Sequence, residues 1–160
     1  MSEKLPPEFF IMTLENLSDV LKIENEVALA PWSIGIFKDC LKSGYAGFIL
    51  KVNHNSIGFA MMSMAVGECH LLNLAISKNY QGQGYGRLFL DFLIDEAREN
   101  KMQQVFLEVR RSNTIAQQLY LSMGFNEIDC RKNYYPNGKD GGAGREDALV
   151  FALELTTEIN

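Results

Sequence analysis

Apolar and polar positions along this chain follow two periods, and the change between them separates helices from strands. Apolar residues that recur about every 3.6 positions predict helices, and short runs rich in β-branched and aromatic residues predict strands. The predicted helices are residues 16–30, 33–41, 85–99 and 114–123. The predicted strands are residues 9–12, 46–52, 57–65, 69–76, 104–109, 125–131 and 148–155.

In chain order these segments read β-α-α-β-β-β-α-β-α-β-β. This order indicates an α/β (α+β) fold, in which a mixed sheet carries helices on both faces. No segment is long enough to act as a linker between two domains. We therefore expect a single domain over residues 1–160.

Individual residues mark the ends of the predicted helices. Pro31 cannot continue the first helix. Ser33 is a suitable N-cap for the second helix, and either Ser112 or Asn113 suits the fourth. Gly124 follows the fourth helix, and we expect it to close that helix in the left-handed conformation.

One charged residue, Glu108, lies in the middle of an otherwise apolar strand. Alternation places Glu108 on the same face as Phe106 and Arg110, opposite the apolar face of the strand. A strand glutamate usually faces solvent. Periodicity alone therefore leaves open whether Glu108 is a surface residue or a functional one.

The composition is typical of a globular protein with one sizeable core, because 47% of the 160 residues are hydrophobic and 22% are charged. No apolar run approaches the roughly 18 residues that span a membrane. The N-terminal segment Met1–Glu8 has no apolar secretion core. We expect a soluble cytoplasmic protein without a membrane partner, and a monomer by default.

Charge and cysteine usage exclude further classes. A net charge of −5 disfavours direct nucleic-acid binding, because proteins that bind the phosphate backbone are normally basic. Cys40, Cys69 and Cys130 form no Cys-x-x-Cys pair, and neither His54 nor His70 has a carboxylate or cysteine at ligand spacing. We expect neither a disulfide framework nor a metal site.

The segment NYQGQGYGR at residues 79–87 lies between a predicted strand and a predicted helix, with glycine at three alternate positions. Such a turn makes an anion site, because the N–H groups at a helix start have no partner within the helix and the helix dipole favours negative charge. A P-loop requires a lysine after its last glycine, and a dinucleotide fingerprint requires a glycine where Arg87 stands. The pattern that remains is Gln81-x-x-Gly84-x-Gly86.

That pattern matches the (Arg or Gln)-x-x-Gly-x-(Gly or Ala) signature of the GNAT acetyltransferases, whose pyrophosphate loop holds acetyl-coenzyme A. Other blocks resemble one branch of that family, the RimI-type acetyltransferases that modify the N-terminal alanine of a small-subunit ribosomal protein. The blocks are APWS at 30–33, LEVR at 107–110, SN at 112–113, LY at 119–120, GF at 124–125, RKNYYP at 131–136 and GREDA at 144–148. The resemblance implies the GNAT fold, including its splayed pair of central strands.

The resemblance further implies an acetyl-coenzyme A site built mainly from the main chain, with no metal. Leu74, Ala75 and Ile76 would hold the pantetheine arm, and a backbone N–H there is the natural donor to the thioester carbonyl. Asn113 would contact coenzyme A besides capping a helix. The family usually has an arginine where Gly82 stands, so the main chain must carry the phosphates here. The implied pyrophosphate loop is Gly82, Gln83, Gly84, Tyr85, Gly86 and Arg87.

The same resemblance makes Glu108 the general base and Tyr120 the general acid. From its helical position alone, Tyr120 suits a core aromatic residue. Since a free glutamate has a pKa of about 4.3, Glu108 would act through a water molecule or with a raised pKa. A phenol near pKa 10 and a thiol near 8.5 differ by about 2 kcal/mol, which close placement of the two atoms offsets.

A peptide groove is also implied, bordered by Trp32, Tyr134, Tyr135, Arg145, Glu146 and Asp147. Trp32 suits a place in the hydrophobic core equally well, and the others suit an ordinary surface. Glu146 or Asp147 would attract a cationic N-terminal segment. A glycine-rich loop at residues 137–144 borders the groove and is longer than the usual family spacer.

The leading interpretation is an acetyltransferase for the N-terminal alanine of a bacterial S18-type small-subunit ribosomal protein. An α-amine of pKa about 7.7–8.0 is neutral at pH 7 a few hundred times more often than a lysine of pKa about 10.4, which suits a weak carboxylate base. Two alternatives stay open, namely a GNAT enzyme for lysine side chains or small amines, and a catalytically silent coenzyme A-binding module. The presence of both Glu108 and Tyr120 argues against the silent module.

Overall fold

The computed structural model describes residues 5–136 and 144–155, so the predicted glycine-rich loop lies outside the described residues except for Gly144. The strands are β1 (Glu8–Ile11), β2 (Ala46–Val52), β3 (Asn55–Ala65), β4 (Glu68–Ile76), β5 (Gln104–Arg110), β6 (Asn126–Pro136) and β7 (Arg145–Glu154). The helices are α1 (Leu17–Val27), α2 (Ile34–Lys42), α3 (Tyr85–Glu99) and α4 (Thr114–Ser122). The predicted order of elements is confirmed.

The fold class is confirmed as well. Strand β4 pairs with β5 in parallel, whereas the β1–β2, β2–β3, β5–β7 and β6–β7 pairs are antiparallel. A mixed, mostly antiparallel sheet combined with helices is the predicted α/β (α+β) arrangement.

Several predicted boundaries are wrong, including that of β7, which starts at Arg145 and not at residue 148, and long-range contacts explain two others. Helix α1 ends at Val27 and not at residue 30, because Ala28 is already extended and the chain turns back until the Trp32 amide donates to the Glu24 carboxylate at 3.0 Å. Strand β6 continues to Pro136 and not only to residue 131, because its last residues pair with β7. Local patterns do not reveal either long-range contact.

The first of two compact units comprises the described residues up to Ser63 together with Leu72–Asp91. Its strands follow the order β1-β2-β3-β4. Helices α1 and α2 contribute their apolar stripes to a core, as their 3.6-residue period predicts. The buried residues of that core are Met12, Leu17, Val20, Ile23, Phe37, Cys40, Ile49, Phe59, Met61 and Ala75.

The second unit comprises Met64–Leu71 and the described residues from Phe92 onward. Its strands follow the order β4-β5-β7-β6. The parallel register of β4 and β5 ends at Leu71 opposite Leu107, although β5 continues to Arg110. The single domain expected over residues 1–160 stays a prediction.

Candidate active site

The glycine run connects β4 to α3 in the first unit. Gly82 has φ +74° and Gly84 has φ +89°, a region that only glycine adopts without strain. A Cβ at either position would meet nothing within 4 Å, so conformation and not crowding requires glycine here. Helix α3 starts at Tyr85, as predicted, which places Gly86 in its first turn.

Side chains within the loop fix its shape. The Gln81 amide donates to the carbonyl oxygen of Ile76 at 2.8 Å, and the Gln83 amide donates to that of Asn79 at 3.0 Å. By the geometry of an α-helix, the main-chain amides of Tyr85 and Gly86 have no partner inside the helix. These amides and the positive end of the helix dipole are suited to an anion such as pyrophosphate.

Two carboxylates of helix α1 hold the residues on either side of Leu74–Ile76. Glu24, only 2% exposed, accepts a hydrogen bond from the Asn73 amide at 3.0 Å. Glu26 accepts hydrogen bonds from the Ser77 hydroxyl at 3.0 Å and from the Lys78 main-chain N–H. The bonds from Lys78 and Ser77 lower the pKa of Glu26. Helix α1 therefore clamps the predicted pantetheine segment at both ends.

Close approach of β3 fixes the same segment from the side. A Cβ on Gly58 would lie 2.9 Å from the carbonyl oxygen of Ala75 and 2.8 Å from the Ile76 side chain. Real Cβ atoms are not found at such distances from main chain, so the position of Ala75 depends on glycine at residue 58.

Trp32 is half-buried and packs against the core of the first unit. Its ring centroid lies 5.2 Å from that of Phe37, and its main-chain N–H is held by Glu24. This contact agrees with the core placement that the sequence left open. A role for Trp32 toward the substrate stays a prediction.

Strand β5 places Glu108 in the second unit, on the partly exposed face that alternation predicts. Its carboxylate forms an ion pair with Arg131 of β6, with 3.0 Å between Oε1 and Nη1. The Glu108 side chain is 26% exposed and that of Arg131 is 53% exposed. Glu108 is therefore accessible to solvent, and it is paired with Arg131, a partner that the sequence did not predict.

Two tyrosines of β6 extend this cluster. The rings of Tyr134 and Tyr135 lie edge to face with centroids 5.0 Å apart. The Arg131 guanidinium lies 5.5 Å from the Tyr134 ring, and that of Arg110 lies 4.6 Å from the Tyr135 ring. Burial and then a hydrogen bond to Glu108 raise the pKa of Tyr134, while burial and the Glu108 charge raise that of Tyr135. Both phenols therefore stay protonated near neutral pH.

Glu146 has partners within the chain. Its carboxylate forms a 2.9 Å ion pair with Arg110 and accepts hydrogen bonds from the Ser112 hydroxyl and main-chain N–H, both at 3.1 Å. Burial acts to raise the pKa of Glu146, but the bonds from Arg110 and Ser112 hold it below its ordinary value. Arg110 offsets the negative charge, so the predicted attraction of Glu146 for a cationic peptide stays a prediction.

Helix α4, which follows β5 in the chain, carries Tyr120. Asn113, and not Ser112, caps this helix by accepting a hydrogen bond from the Ala116 amide at 3.1 Å. The Gln117 side chain donates to the carbonyl oxygens of Arg110 at 3.1 Å and Arg111 at 2.8 Å. Because Gln117 lies one turn before Tyr120, the end of β5 fixes the rotation of the helix.

Tyr120 itself is a core residue. Its ring lies 5.8 Å from that of Phe125 and 6.1 Å from that of Phe151, between centroids. Burial raises the pKa of Tyr120 to about 12. The phenol is therefore a proton donor throughout the physiological range, and its ionised form is strongly disfavoured.

Sequence reasoning missed three residues that shape these sites. Arg131 lay inside a recognised block, but its ion pair with Glu108 requires the β6–β7–β5 pairing to be known. Glu24 was detectable, since it is a charge within the apolar period of Val20, Ile23 and Val27. Its partner Asn73 carried no signal, because an asparagine next to a strand end is common.

In residues 5–136 and 144–155, no group of three or more His, Cys, Asp or Glu side chains could hold a metal ion. Within the same part of the chain, no helix is long and apolar enough to cross a membrane.

Comparison with known proteins links both units to one family. The model of the Acetyltransferase (GNAT) family matches residues 12–125. The ribosomal protein bS18-alanine N-acetyltransferase of Haemophilus influenzae is 45% identical over 134 residues, which make up 84% of this chain and 89% of that protein.

Solved structures agree. The ribosomal-protein-S18-alanine N-acetyltransferase from Escherichia coli matches with a TM-score of 0.86 and 35% identity, over 96% of this chain and 97% of that one. A GNAT family acetyltransferase from Elizabethkingia anophelis with acetyl-CoA bound matches in fold, with a TM-score of 0.75 and 22% identity over 93% and 98% of the two chains. Since the family model covers most of the sequence and a curated N-acetyltransferase matches 84% of it at 45% identity, the chain belongs to the GNAT family of acetyltransferases and is an N-acetyltransferase.

Proposed function

We propose that the chain transfers the acetyl group of acetyl-coenzyme A to the α-amine of the N-terminal alanine of ribosomal protein bS18. The observation that carries this proposal is the 45% identity, over 84% of the chain, to a protein named for that reaction. The structure from Escherichia coli, which is named for the same reaction, supports it at 35% identity.

In this proposal the first unit binds the acetyl donor. Leu74, Ala75 and Ile76 hold the pantetheine arm through their main chain, and residues 82–87 hold the pyrophosphate. The clamp from Glu24 and Glu26 and the open space around the loop glycines support this assignment. The neighbour from Elizabethkingia anophelis has acetyl-CoA bound, which supports the choice of donor. Asn113 is the proposed contact from the start of α4.

Glu108 is the proposed general base. The amine must lose its proton before its lone pair attacks the thioester carbonyl, and the proton passes to Glu108 through a water molecule. The partial exposure of Glu108 supports a water relay. The negative oxygen of the tetrahedral intermediate then accepts a hydrogen bond from a main-chain N–H of residues 74–76.

Tyr120 is the proposed general acid. As the intermediate collapses, the carbon–sulfur bond breaks and the coenzyme A thiolate takes the phenolic proton. The nitrogen of the new amide loses its remaining extra proton, which restores the Tyr120 phenol. With a pKa of about 12, Tyr120 holds that proton at any working pH. Transfer to a thiolate whose acid has a pKa near 8.5 is uphill by about 5 kcal/mol, and burial of the thiolate in the same surroundings reduces that difference.

The proposed peptide side consists of Trp32, Tyr134, Tyr135 and Glu146. Tyr134 adjoins Glu108 and Arg131, and the Tyr135 ring contacts that of Tyr134, which supports their placement near the reacting amine. Since Glu146 is paired with Arg110, its proposed contribution is mainly to hold Arg110 and Ser112 in place.

The reaction is tested with two peptides that differ only at the α-amine. Both carry the N-terminal sequence of bS18 with an internal lysine, and one has its α-amine blocked. We expect acetyl-coenzyme A to be consumed only with the free peptide. Acetylation of lysine in the blocked peptide would favour the lysine-directed alternative. Coenzyme A binding without transfer to either peptide would favour the silent module.

A further inference from the structure

Strand β6 contains a bulge, Lys132–Tyr134, next to the Glu108 cluster. Arg131 pairs with Ala148 and Tyr135 pairs with Glu146, so three residues of β6 face the single residue Asp147 of β7. Asn133 adopts φ +52°, a left-handed conformation that asparagine enters more readily than most residues other than glycine. A bulge of this kind needs partners for the main-chain groups that the ladder no longer pairs.

Two side chains of β7 supply those partners. The Asp147 carboxylate accepts a hydrogen bond from the Asn133 main-chain N–H at 3.0 Å. The Arg145 guanidinium donates from Nε to the Asn133 carbonyl and from Nη2 to the Tyr134 carbonyl, both at 2.8 Å. These three bonds replace the missing ladder bonds with side-chain contacts.

The strand registers place these two side chains away from Glu108. Glu108 is opposite Val150 and Arg110 is opposite Ala148, so even-numbered residues of β7 share the Glu108 face. Arg145 and Asp147 are odd-numbered and therefore belong to the opposite face. Contacts of Asp147 with Arg111 at 3.1 Å and with Lys132 at 3.3 Å agree with that placement.

The bulge also explains why Tyr134 reaches the Glu108 face. In a regular ladder Tyr134 would point away from the face that carries Arg131 and Tyr135. Instead its ring lies under the Arg131 guanidinium at 5.5 Å, and Arg131 forms a 3.0 Å ion pair with Glu108. The position of Tyr134 therefore depends on the conformation of residues 132–134.

We infer that Arg145 and Asp147 are positioning residues that hold the β6 bulge and thereby keep Tyr134 against Arg131 and Glu108. They act from the opposite face and do not line the peptide groove, which corrects the groove position expected for them from the sequence. The inference rests on the proposed function, in which Glu108 is the general base. In it, the pairing of β6 with β7 determines the shape of the side where the amine would bind.

The kinetic test measures Arg145→Met and Asp147→Asn beside variants of an exposed ion pair on α3. In that pair, Arg98 Nη1 lies 3.2 Å from Asp95 Oδ1. Arg98→Met and Asp95→Asn are the matched controls. We expect the β7 variants to lower kcat/KM for the alanine peptide by about tenfold to hundredfold, since small misplacements near reacting groups have effects of that size. The Kd for acetyl-coenzyme A should not change, and neither control should lose activity.

A double-mutant cycle separates positioning from a general structural role. Tyr134 is 42% exposed, so Tyr134→Ala leaves the core intact. If Arg145 acts through Tyr134, Arg145→Met should lose most of its effect in the Tyr134→Ala background. If the loss of kcat/KM in the double variant equals the product of the losses in the two single variants, the inference is overturned. If Arg145→Met does not fold, Arg145→Lys, which retains one donor group, enters the same cycle.

NMR measurements without substrate test the positioning role independently of the proposed reaction. In NMR spectra, Arg145→Met should shift the Arg131 side-chain signal to the position seen in Tyr134→Ala, and Asp147→Asn should accelerate exchange of the Asn133 amide. Failure of the wild-type chain to acetylate the alanine peptide would refute the proposed function alone. Unchanged Arg131 and Asn133 signals in the β7 variants would refute the positioning role alone.

Discussion

Glu24 is a buried carboxylate that holds the residue directly before the proposed pantetheine segment. It is 2% exposed, and its Oε2 atom accepts hydrogen bonds from the Trp32 main-chain N–H and the Asn73 amide, each at 3.0 Å. Replacing Glu24 by Gln keeps an acceptor and the side-chain shape but removes the charge. Replacing it by Ala removes the acceptor and leaves both donors buried.

The expected losses follow from these two contacts. A hydrogen bond to a charged group contributes about 1 kcal/mol more than one between neutral groups, so Glu24→Gln should cost about 2 kcal/mol. Each buried donor without a partner costs about 1–3 kcal/mol, so Glu24→Ala should cost about 4 kcal/mol. For a chain of this length, the Tm should fall by about 4–8 °C for Gln and by about 8–16 °C for Ala.

Urea unfolding at a fixed pH measures both free energies, with the exposed residue Glu15 replaced by Gln as the matched control. Because Asn73 directly precedes the proposed pantetheine segment, Glu24→Gln should also raise the KM for acetyl-coenzyme A. Equal losses for Gln and Ala, or a loss no larger than that of the Glu15 control, would refute the clamp.

Three further predictions concern the same two units. Gly58→Ala should cost about 1–3 kcal/mol and raise the acetyl-coenzyme A KM, because its Cβ would lie 2.9 Å from the Ala75 carbonyl oxygen. Gly35→Ala, whose Cβ would meet nothing closer than 3.6 Å, is the control, and equal behaviour of the two variants would contradict the crowding argument. Between pH 10 and pH 12 the unfolded chain ionises Tyr120 while the folded chain, with a pKa of about 12, keeps the proton, so about 3 kcal/mol of stability is lost as pH rises. Tyr120→Phe should flatten that loss in urea unfolding at pH 9 and pH 11, and an unchanged slope would show that burial does not perturb this phenol. The kcat/KM for an alanine peptide should rise up to about pH 8 as the α-amine loses its proton and should stay level to about pH 10, whereas a falling limb near pH 9 would exclude a general acid with the raised pKa of Tyr120.

Local patterns were sufficient for the order of the elements and for the two faces of β5. The alternation around Glu108 correctly predicted that Val105, Leu107 and Val109 are buried. Gly124 closes α4 with φ +96°, as its position after the last apolar residue predicts. In both cases the signal lies within a few residues of the feature, so no tertiary contact was needed.

The arrangement around Glu108 could not be predicted in the same way. Arg131, Tyr134 and Asp147 come together only because β6 and β7 pair with a shifted register. A bulge changes the face to which a side chain points, and nothing in the sequence of residues 131–136 fixes where the extra residues are accommodated. Both the face that Asp147 takes on β7 and the placement of Tyr134 beside Glu108 had to come from the structure.

The end of helix α1 shows the same limit. Pro31 correctly indicated that the helix stops, but the helix ends earlier because Trp32 turns back to Glu24. The only local sign of this contact is that Glu24, a charged residue, lies on the apolar face of α1. Hydrophobic periodicity alone does not explain a charge at such a position. A buried charge of this kind requires a partner, and the partner is known only once the fold is known.

The most direct test of the proposed reaction uses one peptide that carries both possible acceptors, a free N-terminal alanine and an internal lysine. After incubation with acetyl-coenzyme A, tandem mass spectrometry locates the acetyl group on the peptide. The account predicts a single acetyl group on the alanine nitrogen, with the yield greatly reduced in Glu108→Gln and Tyr120→Phe. An acetyl group on the lysine, with the alanine unmodified, would contradict it.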